Sequence, residues 1–128
     1  MSDRADASPT LRITLPLPPG VNNQYLTVGK RRVLSTSAKA FNADVRKLLE
    51  RARLDGVVTP EMEEAFKPAF LGVYLTFFFE TPNRRDLDGG LKIALDALCT
   101  GLGLDDRAVV DLHLTKRIDP LHPRLEVE

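Results

Sequence analysis

The sequence lacks the features by which disulfides or metal ions stabilise a protein and by which apolar segments anchor it in a membrane. It contains a single cysteine, Cys99, so no disulfide can form within the chain, and no group of cysteines and histidines has zinc-site spacing. No stretch approaches the roughly 18 consecutive apolar residues of a membrane-spanning helix. The opening segment MSDRADASPT has no apolar run, so we expect neither a signal peptide nor an anchor. These absences predict a cytoplasmic protein.

The net charge is zero, because 18 basic residues balance 18 acidic ones. This balance argues against a protein that coats nucleic acid through bulk positive charge. The charges are nevertheless unevenly distributed, with the acidic excess in the half of the chain from residue 69 onward. A neutral total is therefore compatible with an acidic pocket inside a basic surface.

The length of 128 residues predicts one domain. A chain of this size buries roughly two thirds of the surface that it exposes when unfolded, so a hydrophobic core without disulfides or a structural metal is expected. We expect residues 1–10 to form a flexible tail and residues 11–128 to form the domain.

The first half of the chain predicts a strand, a hairpin and two helices. The strand lies in LRITLPLPP and stops at the prolines, and QYLTVGKRRVLS predicts a hairpin around VGKR. The next helix begins at a cap, Ser35 or Ser37, and ends at Gly56. Thr59 before Pro60 predicts one further short helix.

The second half predicts two strands separated by a helix. The segment AFLGVYLTFFFE hardly alternates between apolar and polar residues, so we expect a central strand covered on both faces. A helix begins just after Asp88 and ends at Gly101 and Gly103, and AVVDLHLTKRI predicts the strand that follows. About four to five strands and two main helices are expected in total.

Aspartates stand on both sides of this second main helix. Asp86 and Asp88 precede it at positions i and i+2, which point to the same side of an extended backbone, and Asp105 and Asp106 follow it. If the helix packs antiparallel between the strands, we expect the two groups to face one another at one sheet edge. Three carboxylates that share a site repel unless a cation neutralises them, and all-oxygen ligation suits Mg²⁺ or Mn²⁺.

Basic residues surround the acidic ones in the sequence. Arg84, Arg85 and Lys92 supply the positive charge that would admit a phosphodiester to an acidic pocket. Acidic ligands inside a basic rim favour metal-dependent phosphodiester hydrolysis.

Each of these features also has a purely structural interpretation. Asp88 is suited to cap the helix, and Asp105 and Asp106 are common turn formers. Lys92 and Asp96 have the spacing of a surface ion pair. We assign no role to the two histidines, and we expect Cys99 to be partly buried near a helix end. A metal site is favoured over these structural interpretations only because both aspartate groups and the basic residues occur together.

Two long segments carry a resemblance to a known family. RRDLDGGLKIALDAL followed by LGLDDRAVVDLHLTKR resembles the carboxylate core of the RusA-like Holliday junction resolvases, which are small endodeoxyribonucleases. ITLPLPPGVNNQYLTVGKRRVLS is similar to the opening strand, Asn-rich turn and basic hairpin of that family. The resemblance covers most of residues 11–117 in the family's order.

The resemblance implies an α/β (α+β) fold with a small mixed sheet and a homodimer that binds four-way junction DNA. It implies paired cleavage of two opposed strands with Mg²⁺ or Mn²⁺, in DNA recombination and repair. The family's catalytic aspartates fall on Asp86, Asp88 and Asp106, with Asp105 beside them as a further metal ligand. The catalytic lysine falls on Lys92.

Basic side chains are the expected contacts of the DNA backbone, because phosphates dominate the affinity of such complexes. The candidates for these contacts are Arg84, Arg85, Lys30, Arg31, Arg32, Lys116 and Arg117. Binding through them is expected to weaken as salt is added.

Two departures from the family pattern leave other functions open. Gly89 stands where the family usually has asparagine, which favours as an alternative a junction-binding protein that has lost efficient cleavage. The connection GVVTPEMEEAFKPAF is longer than expected and acidic, so we expect it to lie away from DNA. A nuclease with little shape preference and an unrelated α/β binding module are the remaining alternatives.

Overall fold

The computed structural model describes residues 9–20, 25–82 and 87–128, with Tyr25, Leu87 and Asp88 described by their backbone alone. In these ranges the chain forms six strands and three α-helices: β1 (Ile13–Leu15), β2 (Tyr25–Val28), β3 (Arg31–Leu34), α1 (Thr36–Leu54), α2 (Pro60–Phe66), β4 (Leu71–Phe79), α3 (Leu91–Leu102), β5 (Val109–Ile118) and β6 (Arg124–Val127). Two short 3₁₀ helices flank α3. We call them the leading turn (Leu87–Gly90) and the trailing turn (Asp106–Ala108).

The main sheet has four strands in the order β1-β6-β4-β5. β4 and β5 are parallel, whereas β6 pairs antiparallel with both β1 and β4. β2 and β3 form a separate antiparallel hairpin. The fold is therefore α+β with a mixed sheet, as predicted, although β6 was not among the predicted strands.

One face of the main sheet carries the core, because Leu75, Phe77 and Phe79 of β4 are buried. The predicted burial of both faces is wrong, since Tyr74 on the opposite face is 46% exposed. The apolar run did not predict this exposure, because Phe78 on the open face is apolar and yet is covered by a charged side chain. The Arg124 guanidinium lies 3.8 Å from the centre of its ring.

Helices α1 and α3 pack against each other over the covered face. Val45 and Leu49 of α1 are fully buried, and burial of such a side chain contributes about 1.5–3 kcal/mol. Ser35 caps α1 through a 3.1 Å bond that its Oγ accepts from the Ala38 amide, which decides between the two serines. Thr59 caps the short α2 in the same way, with Pro60 in its first turn, as predicted.

Glycines adjust both ends of α3. Gly103 ends the helix in the left-handed conformation, with a φ of 70°. Gly101 lies inside the last turn, where a Cβ would overlap Leu49, so its role is close packing and not termination. At the other end, a Cβ on Gly90 would overlap Pro18. Among the described residues, no helix combines the length and apolarity needed to cross a bilayer.

Candidate functional site

The leading turn lies where β4 ends. We call the side of the sheet formed by the carboxyl ends of β4 and β5 the carboxyl edge, and the side where these strands begin the amino edge. Gly90 approaches Pro18 and the ring of Phe77, and the turn also contacts β5. Asp88 stands in this turn, directly before α3. The predicted site residues Arg84, Arg85 and Asp86 lie outside the described residues. The described part of the site therefore begins with the backbone of Asp88.

The trailing turn lies at the other end of α3 and follows its cap, Asp105. The Asp105 carboxylate accepts a 2.9 Å bond from the Arg107 amide and forms a 2.8 Å ion pair with the Arg107 guanidinium. These hydrogen bonds from Arg107 lower the pKa of Asp105 to about 2. Asp105 thus acts as the cap of the trailing turn, as its structural interpretation predicts.

Asp106 differs from its neighbour in what its carboxylate contacts. It is exposed, and no hydrogen bond or ion pair from another described residue reaches its carboxylate. It lies close to Cys99 in the last turns of α3. The pKa of the Cys99 thiol is raised, first by burial and then by the negative charges of Asp106, Asp96 and Asp105. Asp106 is therefore the carboxylate of the trailing turn that is available to a ligand.

The predicted meeting of the two aspartate groups at one sheet edge does not occur for Asp88 and Asp106, and Asp86 lies outside the described residues. Because β4 and β5 are parallel, β4 ends at the carboxyl edge, whereas β5 starts at the amino edge. The register pairs Leu71, the first residue of β4, with Val109, just after the trailing turn. Asp88 and Asp106 consequently lie at opposite ends of α3, whose 12 residues span about 18 Å.

Basic side chains gather at the carboxyl edge, beside the leading turn. Lys92 is in the first turn of α3, where its side chain is 79% exposed and its Nζ lies 3.3 Å from the Asp96 carboxylate. Lys116 and Arg117 are near the end of β5, and the Lys116 Nζ lies 5.8 Å from the centre of the Phe79 ring. Positive charge is therefore present at the edge where Asp88 stands.

The hairpin carries the other basic candidates. Its turn contains Gly29, with a φ of 62°, and Lys30, and the exposed Arg31 and Arg32 follow in β3. The hairpin is paired only with itself among the described strands. Its exposed side chains give it a basic surface.

The open face of the sheet carries an aromatic pair that the sequence did not single out. The rings of Tyr74 and His113 are stacked, with centroids 4.4 Å apart, and His113 Nε2 lies 3.0 Å from the Asp111 carboxylate. The strand register Tyr74↔His113 is what brings the rings together, and that register is a long-range property. His113 is thus half-exposed and paired within its strand.

A cavity of about 340 Å³ opens at the amino edge of the sheet, between α2, α3 and the starts of β4 and β5. It is mainly apolar, and its wall includes Phe66, Phe70, Leu98 and Cys99. The single cysteine lies there near the helix end, as expected, but it is buried and not partly buried. Among the described residues, no three carboxylate, thiol or imidazole side chains come close enough to share a metal ion.

Comparison with known proteins gives one family match. The family model described as Endodeoxyribonuclease RusA matches residues 16–128, which include the hairpin, the leading turn, α3, the trailing turn and β5. No curated protein matches the chain.

Proposed function

The chain belongs to the endodeoxyribonuclease RusA family, and from that premise we propose that it resolves four-way DNA junctions by paired cleavage of two opposed strands. The observation that carries this proposal is the match over residues 16–128, because it contains every residue to which we assign a role. The enzyme would act in DNA recombination and repair in the cytoplasm.

The proposed ligands of a divalent cation are Asp86, Asp88 and Asp106, with Asp105 beside them. Carboxylate oxygens suit Mg²⁺ or Mn²⁺, but Asp88 and Asp106 do not fit one ion within a single chain, since α3 separates them. Asp105 is the weakest candidate of the four, because its carboxylate is already held by Arg107. When bound, the cation would supply Lewis-acid stabilisation and an activated water.

Lys92 is the proposed partner of the phosphate. It follows Asp88 by four residues, which sets both near the start of α3. Its ion pair with Asp96 is exposed and therefore weak, so its ammonium group is able to exchange Asp96 for a phosphate oxygen. There it would offset the negative charge that develops on the phosphodiester as the bond breaks.

The proposed DNA contacts lie in three places along the chain. Lys30, Arg31 and Arg32 are on the hairpin, Lys116 and Arg117 are at the end of β5, and Arg84 and Arg85 precede the leading turn. We also propose a homodimer, because a junction has approximate twofold symmetry. A twofold dimer presents two equivalent sites to two equivalent strands.

Replacement of Asp86 by asparagine tests the proposal. Asp86→Asn removes a metal ligand and one repulsive charge, so the rate at which a synthetic four-way junction is cleaved is expected to fall by about a hundredfold or more, while junction binding is retained. Asp44→Asn replaces an exposed aspartate of α1 that is not among the proposed ligands, and this matched control is expected to cleave normally. An Asp86→Asn variant that nicks at the wild-type rate would overturn the assignment.

Gly89 favours a second candidate, a junction-binding protein without efficient cleavage. The family's asparagine would place a hydrogen-bonding side chain beside the proposed ligands, and glycine has none. Incubation of the wild-type protein with Mn²⁺ and either four-way or linear duplex DNA separates the candidates. Nicking of the junction alone supports the resolvase, binding without nicking supports the second candidate, and equal nicking of both indicates a nuclease without shape preference.

A further inference from the structure

The cavity at the amino edge exists because α2 stands away from the core. This helix has only seven residues, and none of them is buried. Met62 and Phe66 pack against the core while remaining partly exposed. The gap that remains between α2, α3 and the starts of β4 and β5 has a volume of about 340 Å³. Protein pockets that bind small molecules begin at roughly 300 Å³, so the cavity is large enough for one.

The wall of the cavity is mainly apolar and includes a phenylalanine that is exposed to solvent. Its apolar side chains come from α2, α3 and both strands, and they include Phe66, Leu71, Val73, Leu98, Leu102 and Val109. Phe70 also belongs to the wall and is 81% exposed. Removal of apolar surface from water is favourable, so an occupant with an apolar body that covers Phe70 would be stabilised there.

The charge around the cavity is negative. The described wall contains no lysine, arginine or histidine, whereas it does contain Glu128. The Glu128 carboxylate lies 3.4 Å from the Arg12 guanidinium, but the two side chains are 47% and 75% exposed, so this ion pair is weak. Negative charge also reaches the buried Cys99 thiol in the wall, whose pKa is raised first by burial and then by Asp106. Anions are therefore disfavoured in the cavity, and cations are favoured.

We infer that the cavity binds a small amphipathic cation, which has an apolar body and a short alkyl chain that carries an ammonium group. The apolar body would lie against Phe70 and Leu98, and the ammonium group would lie near the Glu128 carboxylate. This inference goes beyond the proposed function and does not depend on it. The wall contains none of the residues assigned to DNA or to the divalent cation.

Occupation of the cavity is expected to affect the trailing turn. Leu104 and Val109 belong to the wall, and they stand directly before and after the segment that runs from the cap Asp105 to the end of the turn. An occupant that contacts both side chains would act on the backbone that carries Asp106. The amide resonances of Asp106 and Arg107 are therefore expected to shift on binding, together with those of the wall.

Three molecules with one apolar body and different head groups test the inference: phenylbutylamine, phenylbutanol and phenylbutyrate. Each is titrated into the full-length protein without DNA or divalent metal, and the amide resonances are followed by NMR. We expect the amine to bind most tightly, the alcohol less tightly, and the carboxylate about tenfold more weakly than the amine. A carboxylate that binds as tightly as the amine would overturn the class of ligand, and the absence of binding by all three would overturn the site.

Glu128→Gln tests the position of the ammonium group. This substitution removes a charge from the wall and keeps the shape of the side chain. The amine is expected to bind about threefold more weakly, as for an exposed ion pair, whereas the affinity of the alcohol is expected to stay unchanged. Glu126→Gln is the matched control, because Glu126 lies in β6 but not in the wall. An equal loss of affinity for amine and alcohol would contradict a role of the Glu128 charge.

Ala69→Phe tests the location of the site. A phenyl ring added to this wall residue would fill part of the cavity, so all three molecules are expected to lose binding. Ala40→Phe adds the same ring at an exposed position of α1 and is expected to leave binding unchanged. Retained binding in Ala69→Phe would overturn the site. Dissociation of a dimer by this substitution would do the same, because it would show that a second copy covers the cavity.

Discussion

At the scale of single residues, Asp105 and Asp106 are neighbours with different contacts. Asp105 caps the trailing turn and pairs with Arg107, whereas the carboxylate of Asp106 has no described partner. An adjacent pair of aspartates in the sequence does not reveal this difference, because it depends on where the Arg107 side chain folds back. We therefore assign structural stabilisation to the first residue, and the second remains the proposed ligand.

The lowered pKa of Asp105 predicts a pH dependence of stability. Because the folded value of about 2 is below the ordinary 3.8, the ionised carboxylate stabilises the fold fully above the ordinary pKa. This stabilisation is lost as the pH falls through about 2. Thermal melts from about pH 6 down to about pH 2 are expected to show a higher Tm for the wild type than for Asp105→Asn at the neutral end, with the difference shrinking at the acid end.

Asp106→Asn is the control for this prediction, because it removes a neighbouring carboxylate that forms no described ion pair with Arg107. Its melting curve is expected to follow that of the wild type across the same range. A difference between wild type and Asp105→Asn that stays constant down to the acid end would show that the ionised carboxylate is not what stabilises the turn.

At the scale of elements, Gly90 holds the leading turn against the segment that follows β1. A Cβ there would overlap the buried ring of Pro18, which cannot rotate away, and would also contact Phe77. Overpacking of this kind costs about 1–3 kcal/mol, so Gly90→Ala is expected to lower the free energy of unfolding by that amount. Urea denaturation measures the change.

Gly20→Ala is the matched control for this substitution. Nothing lies within 4 Å of a Cβ at Gly20, so its replacement is expected to change stability by no more than about 0.5 kcal/mol. If both alanine variants unfold at the same urea concentration, the close approach of Gly90 to Pro18 does not constrain the turn.

The hairpin is expected to bind the DNA backbone and not the reacting phosphate. Replacement of Lys30, Arg31 and Arg32 by glutamine is expected to weaken junction binding. It is also expected to reduce the slope of log affinity against log salt by roughly 0.9 for each phosphate that the variant no longer neutralises. Filter binding or anisotropy at several salt concentrations measures the slope. Arg46→Gln with Lys47→Gln, on the exposed side of α1, is the control and is expected to leave the slope unchanged.

At the scale of the whole molecule, the outer edge of β5 predicts the oligomeric state, because β5 is the last described strand of the sheet and exposes Val110, Leu112 and Ile118. Sedimentation is expected to show a dimer, and Leu112→Glu is expected to raise its dissociation constant by about tenfold or more because it sets a charge in an apolar pairing edge. Leu54→Glu also replaces an exposed leucine, but at the end of α1, and is expected to leave the dimer intact. A dimer equally stable in both variants would place the interface elsewhere.

Local features of the fold followed from the sequence because their causes are local. The caps at Thr59 and Gly103, the hairpin at Gly29 and the start of α3 after Asp88 each depend on residues within a few positions of one another. Strand β6 was not predicted because its alternation of polar and apolar residues extends over only four positions, a short run by which to recognise a strand. The open face of β4 escaped it because the covering group, Arg124, is distant in the sequence from Phe78.

The same distinction between local and long-range causes applies to the candidate site. The amino-acid sequence by itself determined which residue types are present, namely carboxylates on both sides of one helix with lysines and arginines near them. Only the tertiary structure decided which of them lie together. The parallel pairing of β4 and β5 sends the end of one strand and the start of the next to opposite edges of the sheet, so Asp88 and Asp106 are separated by the full length of α3.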